Sequence, residues 1–142
     1  MRIVNRRAFF NYYIIDRFEA GIVLSGAEVK SVRLSRADLS VGFARVVNGS
    51  VILKNVYIPP YHGARKDYDP RSDRKLLLHK AQIRSLTNKL SKKGTALVPL
   101  AFYTTRNLIK VELGIGIAKK EYDKRRSIKA KDEKRKIEQD LD

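Results

Sequence analysis

Cysteine is absent from the 142 residues. That excludes a disulfide framework, a thiolate nucleophile and any metal site built on sulfur. Histidine is scarce: His62 and His79 are the only two. No apolar run approaches the ~18 residues needed to span a bilayer. The segment from Met1 to Arg7 is basic, but no apolar core follows it, so it does not read as a secretory signal. The patterns HExxH, Walker A and GxGxxG are missing. Gly114-Ile115-Gly116 lacks a third glycine and a following helix, and reads as a bulge or a close backbone approach. No metal and no cofactor are expected, and the simplest location is the cytoplasm.

What the chain has in quantity is positive charge. Its 31 basic and 15 acidic residues give a net +16. A balance of that size points to nucleic acid, ahead of an anionic membrane surface. The tail from Lys119 to Asp142 holds ten basic and seven acidic residues, a net of +3, which leaves +13 on residues 1–118. The folded part is therefore itself strongly cationic, and the tail is not the sole contact surface. With 43% hydrophobic residues, the chain supports one ordinary domain, 1–118, followed by a basic appendage, 119–142.

Local patterns give a mostly β reading. Phe9 to Phe18 is aromatic and β-branched and reads as a strand. Glu19-Ala20-Gly21 reads as a turn and Ile22-Val23-Leu24 as a second strand. Ser25 with Glu28 three residues later is a capping-box pattern, predicting a short helix through Val29, Val32 and Arg33. Asn48-Gly49 between apolar runs predicts a two-residue hairpin with positive φ at both positions. Pro59-Pro60 ends the second strand, and residues 61–73 form a polar loop long enough to suspect a function. Leu76-Leu77-Leu78 reads as a strand. From His79 the period becomes helical, with His79, Ile83, Leu86 and Leu90 on one face and Gly94 as the stop. Two further strands, 95–103 and 108–117, join near Arg106-Asn107, and Pro99 makes the first an edge strand or the site of a bulge. The predicted fold is α+β and mostly β: a closed antiparallel barrel of about six strands with two to three short helices.

Beyond Ala118 the pattern breaks. Ile128 and Ile137 fall on opposite sides of a helix, Leu141 does not extend either, and no core-facing stripe exists. The i,i+4 pairs Glu121–Arg125 and Asp132–Lys136 favour a helix only weakly. The tail is expected to be disordered when free and helical on its partner.

Three groups of residues invite a chemical reading. His62 and His79 would suit metal-free RNA cleavage by general acid–base catalysis. Nothing in the sequence ties them together, and a loop histidine plus a helix-start residue is the favoured reading. Phe9, Phe10, Tyr12 and Tyr13 beside Arg6 and Arg7 form a base-stacking set on a basic surface. Alternation would pair Phe10 with Tyr12 and Phe9 with Tyr13, so one pair is expected outside and one in the core. In the tail, Tyr122-Asp123-Lys124-Arg125 places one aromatic within a phosphate-binding cluster.

Six motifs in order then carry a family resemblance: Asn5-Arg6-Arg7-Ala8, Glu19-Ala20-Gly21-Ile22, Gly26 to Ser31, Arg74 to Lys80, Leu97-Val98-Pro99-Leu100 and Lys119 to Arg125. Together they resemble small protein B (SmpB), the bacterial partner of transfer-messenger RNA (tmRNA, or SsrA RNA), over nearly the whole chain. The resemblance implies an oligonucleotide-binding-like barrel that binds the tRNA-like domain of tmRNA. It also implies promotion of that RNA's aminoacylation and its delivery to stalled ribosomes, in trans-translation. The expected partners are tmRNA in a 1:1 complex with a monomer and the small ribosomal subunit at its decoding centre and mRNA channel. Elongation factor Tu and alanyl-tRNA synthetase would be reached through the RNA. The resemblance assigns RNA binding to Asn5, Arg6, Tyr12, Glu28, Lys30, Lys75, Leu78, His79, Lys119 and Lys120. It assigns decoding-centre and channel roles to Tyr122, Asp123, Lys124, Arg125, Ile128 and Lys129. Glu28 thus has two readings, helix cap and RNA contact. The chain departs from the family at Ile117-Ala118, where a Lys-Gly pair is usual, and at Arg71-Ser72-Asp73. Two other classes stay open at this point: a metal-independent RNA nuclease or modifying enzyme, and a constitutive ribosomal or assembly protein.

Overall fold

The computed structural model describes the backbone of residues 1–140 and the side chains of residues 1–136. Leu141 and the side chain of Ile137, both weighed above, lie outside the described residues. Seven strands and four helices follow one another as β1 (Arg2–Val4), α1 (Arg6–Asn11), β2 (Tyr12–Ile22), α2 (Gly26–Arg33), β3 (Phe43–Val47), β4 (Ser50–Lys54), β5 (Arg74–Leu77), α3 (Lys80–Leu90), β6 (Thr95–Thr105), β7 (Leu108–Ala118) and α4 (Glu121–Asp140).

All pairings are antiparallel. The order β1-β6-β3-β4-β5-β2-β7, with β7 also paired to β6, closes six strands into a ring. Strand β1 lies outside that ring, on the half of β6 that β3 leaves free. The ring's inner face holds the core, where Leu53, Phe102, Leu113 and Ile115 are fully buried. Helix α2 adds Val32 to this core and α3 adds Leu86, with Ile83 and Leu90 packed beside it as predicted; His79, expected on the same face, is instead the exposed residue that precedes the helix.

Several local signals are realised. Asn48 and Gly49 take φ of 50° and 76°, as the hairpin requires. The same left-handed pair recurs at Arg106 and Asn107, φ 50° and 64°, between β6 and β7. Pro99 sits at a bulge, where the β6–β7 register skips from Pro99 to Ala101. Gly116 is a close approach: a Cβ there would meet the Tyr12 Cβ at 2.7 Å. The opposing irregularity falls on β2, between Ile14 and Asp16.

Within the first 24 residues the strand expected over Phe9–Phe18 is present from Tyr12 onward, and the stretches on either side differ from expectation. Phe9 and Phe10 lie on helix α1, not on a strand. The side chain of Asn5 caps that helix by accepting from the Ala8 N–H, and Ala8 packs against Val98 and Leu100. The helix-to-strand junction at Tyr12 resets the alternation, so the exposed aromatics are Phe10 and Tyr13, while Phe9 and Tyr12 face the Ala8 cluster. Glu19-Ala20-Gly21 is no turn. Strand β2 runs through it, with Ala20 buried and Gly21 paired to Leu77.

The most demanding element is a buried ion pair. Arg74 is 3% exposed and Glu28 is 8% exposed. The Arg74 Nε donates to Glu28 Oε2 at 2.8 Å, and its other nitrogens donate to the carbonyls of Val56 and Pro70 and to the Tyr68 hydroxyl. Glu28 Oε1 accepts the Ser25 N–H at 3.0 Å, completing the capping box. Burial, and after it the Glu28 charge, raises the Tyr68 phenol above its ordinary pKa. Removing one member of such a pair strands the other charge away from water. Arg74→Met is therefore expected to lower stability by about 3–5 kcal/mol in urea denaturation; a loss below ~1 kcal/mol would show that the pair is not structural.

Candidate RNA interface

The residues that the sequence nominates fall into two groups at opposite ends of β2. At its start lie α1, the end of β7 and the tail junction. At its far end lie α2, β5 and the start of α3. Ten residue steps of strand separate Tyr12 from Ile22, up to about 33 Å along the chain.

In the first group, Arg6 and Arg7 are exposed on α1. Asn5 is 4% exposed and spends its side chain internally. Its amide nitrogen donates to the carbonyls of Leu39 at 3.0 Å and Pro99 at 2.8 Å, while its oxygen caps α1. Asn5 thus has its amide committed within the protein, beneath the exposed Arg6 and Arg7. Tyr12 is half-buried, its ring base lying on Gly116. Lys119 is held by its N–H to the Asn11 carbonyl at 2.8 Å. Its ammonium sits 4.9 Å from the Tyr13 ring centre and 3.3 Å from the Ser127 hydroxyl. Desolvation, followed by the nearby Asp123 carboxylate, raises the pKa of the Tyr13 phenol. Lys120 is exposed.

The tail leaves the ring without a glycine hinge. Strand β7 runs to Ala118 and α4 begins at Glu121, so two residues separate them. The tail was expected to lack structure without its partner; the chain alone instead forms helix α4 over Glu121–Asp140. Tyr122 is 68% exposed with the Arg126 guanidinium 5.7 Å from its ring. Arg125, Ile128 and Lys129 are exposed, and Asp123 and Lys124 half-buried. Ile128 faces a recess that α1 also lines with Phe9 and Phe10.

In the second group, Glu28 has both carboxylate oxygens engaged within the protein, so its cap reading is realised and it holds the surface around it in place. Lys30 and Lys75 are exposed, and Leu78 is half-buried against the core. His79 is the exposed residue before α3, where the Gln82 side chain accepts its N–H at 3.1 Å. Sequence reasoning left the 61–73 loop unread beyond its length. Tyr61 lies under the Lys30 ammonium at 5.5 Å, and Tyr57 under the Arg71 guanidinium at 5.3 Å. These are the aromatic–cation pairs that single-stranded RNA readers present. Of these four residues only Tyr61 and Arg71 belong to the loop, and their partners Lys30 and Tyr57 lie elsewhere in the chain, so no local pattern marked the pairs. His62 stands edge-on to Tyr61. Among the described residues no hydrogen bond joins either imidazole to a carboxylate, and no group of three or more metal-ligating side chains occurs.

The model of the SmpB protein family matches residues 2–142. The chain belongs to the SmpB family. An SsrA-binding protein of Alkaliphilus oremlandii (strain OhILAs) is 50% identical over 138 residues, covering 96% of this chain and 89% of the relative. The SsrA-binding protein of Chlorobaculum tepidum is 49% identical over 139 residues, covering 96% and 88%. A chain of a solved structure described as "tmRNA-SmpB: a journey to the center of the bacterial ribosome" aligns with a TM-score of 0.71 at 46% identity, over 84% of this chain and 85% of that one. The SmpB fold therefore applies to the ring and helices described above.

The internal role of Asn5 has a direct test in this SmpB-family chain. Asn5→Ala removes a helix cap and two buried hydrogen bonds, to the Leu39 and Pro99 carbonyls, at an expected cost of about 2–4 kcal/mol in the RNA-free protein. Asn5→Asp keeps the cap acceptor but sets a carboxylate against both carbonyls, and should cost at least as much. Thermal melts without RNA measure both; unchanged melting would return Asn5 to the surface role.

Proposed function

We propose that this protein binds tmRNA through the tRNA-like domain and serves trans-translation on stalled ribosomes. The observation that carries the reading is the SsrA-binding relatives, near 50% identical over almost the full chain. The cationic ring domain supports it, with net +13 on residues 1–118. So do two exposed basic and aromatic surfaces, one at α1 and one at α2 and the 61–73 loop.

Residues 1–118 dock the RNA, with Arg6, Tyr12, Lys30, Lys75, Leu78, His79, Lys119 and Lys120 facing it, and Asn5 and Glu28 holding those surfaces in shape. Docking supports aminoacylation of the RNA and its delivery to the ribosome, with elongation factor Tu and alanyl-tRNA synthetase engaged through the RNA. Residues 119–142 act separately. Helix α4 touches the body along α1 and has no apolar stripe, so in water it is marginal and gains order on its partner. Tyr122, Asp123, Lys124, Arg125, Ile128 and Lys129 then engage the decoding centre and the vacant mRNA channel. The protein works as a cytoplasmic monomer and is not an enzyme. His62 and His79 are a loop residue and a helix-start residue, and purified protein is expected to leave RNA uncut.

A chain ended after Ala118 tests this division. It is expected to bind the tRNA-like RNA within about threefold of full length and to fail in tagging stalled peptides. Its affinity should fall steeply with salt, since phosphate neutralisation releases counterions. Loss of RNA binding on truncation, or a flat salt titration, would contradict the assignment of docking to the body.

A further inference from the structure

A cleft of about 950 Å³ opens between β3, the first half of β6, α1 and α3. It exists because β3 meets β6 at a single residue pair, Ala44 with Leu97, so the sheet is barely laced there. Arg7 and Arg45 line it from opposite elements, and both are exposed. None of its described lining residues is acidic. Tyr12 and Phe43 supply half-buried aromatic surface, and the Ser91 and Thr95 hydroxyls, which donate to the carbonyls of Asn88 and of Leu90 and Lys92, keep lone pairs that can accept. The Arg45 guanidinium already lies 5.3 Å from the Phe43 ring centre, a planar cation stacked on an aromatic at the rim.

We infer that this cleft takes one unstacked nucleotide of the bound RNA. Its base enters beside Tyr12 and Phe43, and its flanking phosphates meet Arg7 and Arg45. The chemistry matches each part of the ligand. Aromatic surface suits a base face of any identity, guanidinium groups pair with phosphate in a forked geometry, and hydroxyls serve a base edge. Two cations without a carboxylate select against a basic peptide strand at the same gap. Paired RNA does not enter, because its bases stay stacked and the cleft admits only what is splayed out. The inference rests on the RNA-binding reading above and adds to it a defined subsite, with Arg7, Phe43 and Arg45 as contacts.

The test uses the full chain and two short RNA hairpins, one fully paired and one carrying a single bulged 4-thiouridine. Irradiation is expected to join the thiouridine to a peptide containing Tyr12 or Phe43. Arg45→Glu should weaken the bulged hairpin at least about fivefold more than the paired one, the lower end of what a stacked base contributes. Ser91→Trp, at an exposed position beside α3, fills the mouth without changing charge and should do the same. Circular dichroism melts confirm that each variant is folded, and either variant alone decides the question. Crosslinks elsewhere, or equal losses for both hairpins, would overturn the subsite. So would an extended uncharged peptide occupying the cleft in preference to the bulged RNA. If the tRNA-like RNA still binds in those cases, only the subsite falls; if no RNA binds at all, the functional reading falls with it.

Discussion

The pairing of Arg74 with Glu28 is the constraint on which much of the surface depends. One guanidinium reaches three other parts of the chain: α2 through Glu28, the segment after β4 through the Val56 carbonyl, and the 61–73 loop through Tyr68 and Pro70, all from the first residue of β5. A lysine would not serve, since it lacks a planar fork with several fixed donors. The consequence for function is positional. Lys30, Tyr61, Lys75 and His79 are carried by the elements that this pair locks together. A polar loop that would otherwise wander is tied to the core, and its aromatic and cationic side chains become a surface.

Asn5 does the same at the other end of β2. Its one amide joins β1, α1, the Leu39 turn and the β6 bulge. The two ends of the ring are thus each organised by a buried polar residue with every bond made. No buried side-chain nitrogen or oxygen among the described residues is left without a partner. The two residues carry little of the surface themselves. They define where the exposed arginines, lysines and aromatics stand, which is what a rigid docking face for a folded RNA requires. The tail is built on the opposite plan. It has charge and one exposed tyrosine but no apolar stripe, and packing on the body contributes little to its helix.

Legibility in the sequence followed the range of the interactions. The Asn48-Gly49 hairpin, the Ser25–Glu28 capping box and the face of α3 were readable because a few adjacent residues determine each. Helix α1 was not. Its aromatic, β-branched surroundings favour a strand, and the decisive partners of Asn5 lie 34 and 94 residues away. Strand β1 is three residues long and exists only against β6. Gly21 resembled a turn glycine, yet its smallness admits Leu77 from β5, whose Cβ would lie 3.3 Å from an added Cβ. At the candidate interface the motifs nominated exposed cations and buried polar residues side by side. They did not separate residues that face solvent from those that hold the stretch in place. Asn5 and Glu28 stand beside exposed cations in sequence and lie beneath them in space.

The central claim is that this cationic ring domain has one principal RNA partner, with a tRNA-like end. Pulling the native full-length protein from lysate and sequencing the RNA it retains tests that most directly. The account predicts a single dominant RNA species with a tRNA-like terminus, recovered together with small-subunit ribosomal RNA when ribosomes stall. Recovery of ribosomal RNA alone, at equal levels from translating and stalled ribosomes, would contradict it and place the protein among constitutive ribosome components.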